Sequence, residues 1–475
     1  MHGKIRPRLV LQRSGGFVMV PAMTAIHRLV EFVQKTTLAD CGEPVLVQVR
    51  RATLDTIGCM LAGASEPVAA IVRQIARAEG ATPLCRVFGT SLRTSPTWAA
   101  LANGAAGHAH DFDDTNFALT GHPSVPLLAA SLAAGEAEMA DGATVALAYV
   151  IGFEIDGALG RALNPGHYTR GWHATTSIGT LGCAAAAARI LGLDTGQTVH
   201  ALGIAASLAS GLKENFGSMT KPYHAGHAAR NGVLAAQLAR EGMTASETAL
   251  DGRQGYAAAF SGTTLRADVF DRLGERWEIL ESGIAVKPYP SCALTHSAID
   301  TLIALRTTHA LVPSQVSRVE VRVNRVVPDV LRHERPTNGL ERKFSMPYCA
   351  AVALARGGVE LGHFGDGPVD DDVRGLMERV TMIPDPALPD GLEQQAWTRV
   401  TVTLADGRVL APDVSGARGH PEQPLDASAL REKFLGCAVP ALSRDDASAV
   451  ADQIDHLEDI PDIRALTSRL AGDRE

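Results

Sequence analysis

Aromatic residues make up only 5% of this 475-residue sequence, and charged residues 20%. The formal net charge of −8 is small for the length, and no long block of like charge occurs. A basic nucleic-acid surface and a charged interaction tail are therefore not expected. The seven cysteines are dispersed and form no CxxC pair, which argues against a disulfide framework or a zinc ribbon. That usage fits a reducing compartment, and the expected location is the cytoplasm. No glycine-rich phosphate loop sits between a strand and a helix, and no lysine has a recognisable pyridoxal phosphate setting. No cofactor is expected. The most apolar stretch, ATVALAYVIGFEIDGALG, carries Glu154 and Asp156, so it reads as a core helix and no membrane span is expected.

What the chain does have is apolar content, 46%, enough for a large core divided over two or three domains. The N-terminal segment MHGKIRPRLVLQRSGGFVMVP is basic, and its apolar run is too short and broken for a secretory signal. Residues 1–23 are predicted to be a disordered extension. From 24 to 280 apolar residues recur at three- and four-residue spacing, as in MTAIHRLVEFVQKT, and the Ala-rich TSIGTLGCAAAAARILGLD needs close neighbours. These segments predict a helical bundle. Residues 281–412 read as a small α+β domain: VSRVEVRVNRV alternates with period two, and WTRVTVTLADGRVLAPDV has the pattern of a hairpin. Between them SMPYCAAVALARGG predicts a helix. Residues 413–475 return to helical text and are expected to complete the bundle. The fold class is thus mainly α, a large all-helical domain plus a smaller α+β domain.

Chemistry concentrates in a few places. HAHDFDDTNFALTGHP, residues 108–123, crowds histidines, aspartates and threonines together. His108 and His110 form an HxH pair of the kind found in metal-dependent hydrolases at barrel strands. Here helical text precedes the pair and no barrel repeat follows, so that reading ranks low and no metal is expected. Asp113 and Asp114 read as loop or cap residues. Asp111 and Thr115 are four apart, which on a helical turn would put both on one face. GWHATTSIGTLG places His173 at a helix start rich in hydroxyls, suited to acid–base work beside a bound anion. In MTKPYHAGHAARNG, Lys221 precedes a proline, which favours extended backbone, and it is a candidate carboxylate binder. AVKPYPSCALTHSAID sets Lys287, Cys292 and His296 at the junction of the two domains, a common place for ligands. ERKFSMPY offers Tyr348 as a proton or hydrogen-bond donor. Each of these residues also has an ordinary structural reading as a packed or solvated side chain.

In order, DFDDT with HPS downstream, GWHATTSIGTLG, MTKPYHAGHAARNG and KPYPSCALTH resemble the MmgE/PrpD family from about residue 24 to the C-terminus. That family includes 2-methylcitrate dehydratase, cis-aconitate decarboxylase and iminodisuccinate epimerase. The resemblance implies a homodimer in which the α+β domain is a lid and the active site lies between the domains. It implies pocket roles for Asp111, Thr115, His122, His173, Lys221, Lys287 and Tyr348. Cys292 stands where the decarboxylase branch has a pocket histidine. The activity implied is a cofactor-independent lyase, a dehydratase or decarboxylase, acting on a small di- or tricarboxylic acid. An isomerase or epimerase of a dicarboxylate is the alternative, and a metal-dependent hydrolase using HAHD is more distant. His122 and His173 would transfer protons, with Asp111, Lys221 and Tyr348 in catalytic roles and Thr115, Lys287 and Cys292 binding substrate.

Overall fold

Small residues allow the helices of this chain to touch backbone to backbone. A Cβ built on Gly226 would stand 2.2 Å from the carbonyl oxygen of Leu101, and one on Gly104 would stand 2.6 Å from the Cα of Gly226. Only hydrogen fits there, so helices Pro96–Gly107 and Thr220–Arg240 cross at minimal separation. The same holds for Gly152 of helix Gly142–Leu163, whose Cβ would meet Leu127 and the carbonyl of Gly182. The Ala-rich helix Gly179–Ile190 is buried almost from end to end.

The computed structural model describes residues 23–388, 398–413 and 416–472, together with the backbone strands Arg8–Leu11 and Phe17–Val20, which pair antiparallel. Apart from these two strands and Met23, the extension predicted to be disordered lies outside the described residues. The protein is mainly α, with a small sheet-bearing region. One apolar core draws on residues between Ala25 and Val286 and again between Leu425 and Leu470. The helix Ala427–Ala438 packs back onto Leu38–Gly63, where Gly58 lies against the ring of Phe434.

A second core gathers Tyr289 to Leu404, joined by Tyr168 and Phe216 from the helical part. Its sheet has four strands in the order Val380–Pro384, Val316–Val323, Arg399–Leu404 and Val409–Leu410. The first pair is parallel and the others antiparallel. Val319, Val321 and Val323 point inward, and a register shift between Val316 and Arg318 keeps Val316 inside as well. The helix Met346–Arg356 is also present. The segment ETALDGRQG forms turns before the short helix Tyr256–Phe260, because its polar residues and two glycines supply no apolar face. Lys221 is helical, in the first turn of Thr220–Arg240, where a proline is tolerated because the missing N–H has no intrahelical acceptor anyway.

Helix Gly142–Leu163 is long and apolar enough to cross a membrane, yet it lies buried among the other helices. Its Glu154 carboxylate accepts from the backbone N–H groups of Glu278 and Ile279, at 2.7 and 3.0 Å. That contact fixes the chain just before the segment that carries Lys287.

Candidate active site

The close crossing at Gly104 and Gly226 has a local consequence. Helix Pro96–Gly107 ends at His108 and releases the 108–123 segment directly beside the first turn of Thr220–Arg240, which carries Lys221. Asp111 is not on a helical turn, as its spacing from Thr115 suggested. It has φ +51, a left-handed conformation that aspartate tolerates better than most residues. Thr115 instead exchanges backbone hydrogen bonds with Ala285, at 3.0 and 2.9 Å, so this loop is stitched to the strand-like segment preceding Lys287.

Asp111 is the centre of the cluster. Its Oδ1 accepts from Lys221 Nζ at 2.6 Å, its Oδ2 lies 3.2 Å from Lys287 Nζ, and its carbonyl accepts from Lys287 at 2.8 Å. Burial alone would raise the carboxyl's pKa, but the two lysines overcome it and hold Asp111 well below the usual carboxylate range. The Nζ of Lys221 also donates to Nε2 of His108 at 2.8 Å, which requires a lone pair on that nitrogen. His108 is then neutral with its proton on Nδ1, donated to Asp113 at 2.8 Å. Burial drives its pKa down to about 4, against the opposing charge of Asp113.

Asp113 is fully buried and holds a second histidine. Its Oδ2 lies 3.1 Å from Nδ1 of His122, whose Nε2 faces Asp111 at 3.6 Å. Nδ1 of His122 makes no hydrogen bond, so Asp113 acts on this ring through its charge, and the ring lines the cavity within reach of a bound anion. Burial lowers the His122 pKa, partly countered by Asp113. The backbone N–H of His122 is tied to Thr175 Oγ1 at 2.9 Å. His173 is buried with His224 beside it, Nδ1 to Nδ1 at 3.1 Å. One ring must donate and the other accept, so the outer nitrogens of this pair are one donor and one acceptor. Burial holds His173 well below its ordinary pKa and His224 at about 4.

Seven of the eight candidates, Asp111, Thr115, His122, His173, Lys221, Lys287 and Cys292, line one cavity of about 70 Å³. Tyr168, Phe216 and Phe344 contribute apolar walls. Thr115 Oγ1 is buried without a hydrogen-bond partner. The Cys292 thiol is pushed up to about 11 by burial and by Asp111, so it is a neutral side chain rather than a thiolate nucleophile. Tyr348 is not brought to the cavity. It lies inside helix Met346–Arg356, and its hydroxyl donates to the carbonyl of His363. At the helix start beside His173 the N–H groups of Thr176 and Ser177 donate to the His173 carbonyl. Asp113 and Asp114 are buried rather than solvated. Asp114 bonds Ser124 at the next helix start, and burial raises its pKa to about 8.

Sequence reasoning passed over Asp113, His108 and His224. Asp113 sits in DFDD among near-identical neighbours, and nothing local says which carboxylate turns inward. One signal was available: histidine and aspartate occur together at 108, 113 and 122. The side-chain atoms of His108, Asp111, Asp113 and His122 lie within 4.8 Å of one another, a spacing a metal ion could use. Lys221 Nζ, however, stands against both Asp111 and His108, where such an ion would draw on the same donors.

A buried cluster of two lysines, two carboxylates and three histidines lies where the helical and sheet-bearing parts meet, an arrangement that can hold an anion and exchange protons with it. The MmgE/PrpD N-terminal domain profile matches residues 27–267, and the C-terminal domain profile matches residues 289–459. This chain belongs to the MmgE/PrpD family. It is 30% identical to human cis-aconitate decarboxylase over 463 residues, covering 94% of this chain and 93% of that one. It is 30% identical to the mouse cis-aconitate decarboxylase over 90% of this chain and 89% of that one, and 26% identical to the Aspergillus terreus enzyme over 91% and 92%. The protein is a lyase.

Proposed function

We propose that this enzyme is a cofactor-independent lyase acting on a small di- or tricarboxylic acid, with decarboxylation of a cis-aconitate-like substrate as the favoured reaction. The observation that carries this reading is the convergence of Lys221 and Lys287 on Asp111 in a cavity faced by His122 and His173. The names of the relatives support a decarboxylase over a dehydratase.

An incoming carboxylate meets the ammonium groups of Lys221 and Lys287, the fixed positive charges of the cavity. Its negative charge raises the affinity of the neighbouring histidines for protons, which burial keeps neutral in the free site. In decarboxylation the carbon–carboxylate bond breaks and CO2 leaves. The electron pair stays on the carbon skeleton, and a histidine proton is transferred to carbon. One proton is consumed per turnover and returns to the histidine from water. In dehydration the same groups would take a proton from carbon and return one to the departing hydroxide. His122, beside Asp113, is the histidine best placed to give that proton in decarboxylation or to take it in dehydration.

The test is incubation of the purified enzyme with citrate-, aconitate- and aspartate-derived acids in D2O, read by mass spectrometry. Loss of CO2 from cis-aconitate, with one deuterium on the product carbon, is the expected result. Deuterium uptake without mass loss would instead show an epimerase. No change in any of these acids would overturn the proposal.

A further inference from the structure

Three consecutive carbonyl oxygens of the 108–123 loop each accept a hydrogen bond from a different lysine. His110 O accepts from Lys343 at 2.8 Å, Asp111 O from Lys287 at 2.8 Å, and Phe112 O from Lys433 at 2.7 Å. The three lysines are far apart in sequence. Lys343 follows the short helix Gly339–Arg342 of the sheet-bearing domain, Lys287 lies at the domain junction, and Lys433 is in helix Ala427–Ala438. Lys287 and Lys343 are almost fully buried, and Lys433 nearly so.

Lysines normally stay in water because burying an ammonium group is costly, so three on one short loop call for a reason. Lys287 is explained by its contact with the Asp111 carboxylate. The other two do not touch the cavity. Lys343 donates a second bond to Pro290 O at 3.1 Å and lies over the ring of Phe364 at 4.4 Å. Lys433 pairs with buried Asp55 at 2.6 Å and lies over the Phe112 ring at 3.9 Å. Between their two anchor points lies Asp111, in a left-handed conformation that an untied loop would leave.

We propose that Lys343 and Lys433 are positioning residues: by holding the carbonyls on either side of Asp111 they keep its carboxylate between Lys221 and Lys287. The inference rests on Asp111 being part of the site proposed above. It also explains why the site needs all three parts of the chain, since the helical bundle supplies the loop, the sheet-bearing domain one clamp and the C-terminal helix the other.

The test compares K343M, K433M and the conservative K343R and K433R variants with the wild type and with R431M, a control on the exposed face of the same helix. Because K433M strands Asp55, the pair D55N/K433M is measured beside it. Hydrogen exchange of peptides spanning residues 108–117, followed by mass spectrometry, reads the loop without relying on activity. Exchange there should quicken at least tenfold in both methionine variants, with helix Gly179–Ile190 unchanged. With the acid that the wild type turns over, kcat should fall ten- to hundredfold, KM should stay within threefold, and the arginine variants should recover part of the loss. Unchanged loop exchange in D55N/K433M and K343M would overturn the proposal, as would exchange that rises equally throughout the bundle. If the wild type turns over none of the acids, the functional reading fails while the exchange result still decides the clamp.

Discussion

Asp113 accepts from Nδ1 of His108 through both carboxylate oxygens, at 2.8 and 2.9 Å, and its Oδ2 also lies 3.1 Å from Nδ1 of His122. One buried anion therefore fixes the tautomer of His108 by hydrogen bonding and stands beside His122 as a counter-charge, while Nε2 of His108 meets Lys221 at 2.8 Å and Nε2 of His122 lies 3.6 Å from Asp111. The two histidines beside it hold Asp113 well below its ordinary pKa, despite a burial penalty that pushes the other way.

Replacing Asp113 by Asn keeps the shape and removes this control. An amide can present its NH2 to either ring and stabilise the wrong tautomer. The expected result is a drop in kcat of ~10²–10⁴-fold, the range for losing an oriented acid–base group. A folded protein by circular dichroism, with KM close to the wild type, is expected alongside. Turnover near the wild-type rate in Asp113→Asn would take His122 out of the proton transfer.

Tyr348 gives the opposite expectation. Its hydroxyl donates to the His363 carbonyl and its ring packs on Phe364, away from the cavity. Tyr348→Phe should lose about 1 kcal/mol of stability, the usual net worth of such a bond. Its kcat/KM should stay within about threefold, because no contact made to the transition state is removed. A hundredfold loss would place the hydroxyl in the reaction after all.

These two residues mark how much the sequence could show. Helical text, the alternation in Val316–Val323 and the hairpin after Arg399 were legible because periodicity reports directly which face is buried. Seven cavity residues were legible through motif order, which preserves loop positions. Tyr348 was assigned by the same order, yet the helix Met346–Arg356 turns it toward His363, and a motif carries no information about which way a helix face points. Asp113 was missed for a related reason. In DFDD the left-handed backbone at Asp111 decides which carboxylates enter the cluster, and that conformation depends on lysines up to 321 positions away along the chain.

Histidine burial predicts how stability depends on pH. His167 is held at about 3 and His108 and His224 at about 4, in each case chiefly by burial. Their unfolded value is near 6.5, so below that pH the unfolded chain binds more protons than the folded one. Their contribution to stability is therefore complete above about pH 6.5 and is lost as the pH falls toward 4 and 3. The buried carboxyls of Asp114 and Glu154, held up at about 8, act in the opposite sense over the same window, so the histidine share is read in thermal unfolding from the difference between wild type and variant. His167→Asn, which takes one such group away from a position outside the cavity wall, should flatten the slope. A pH slope between 6.5 and 4 identical in His167→Asn and the wild type would contradict the neutral assignment of His167.

The crossing of helices Pro96–Gly107 and Thr220–Arg240 links packing to chemistry more directly than any polar contact. A methyl group at position 226 would stand 2.2 Å from the Leu101 carbonyl oxygen and 2.8 Å from the Ala105 nitrogen, distances that only a shift of backbone can relieve. Such overpacking typically costs about 1–3 kcal/mol. The shift cannot stay local, because one helix releases the Asp111 loop and the other carries Lys221 five residues before the glycine. Separating them lengthens the 2.6 Å contact between Lys221 and Asp111. Gly226→Ala should therefore lower the melting temperature and also reduce kcat, by about tenfold or more for an ångström-scale misplacement. Gly192→Ala is the control, since its Cβ would meet nothing within 4 Å; its φ of +63 makes it a test of backbone strain alone. A variant at 226 that loses stability but keeps full turnover would show that the lysine finds its place without help from the helix crossing.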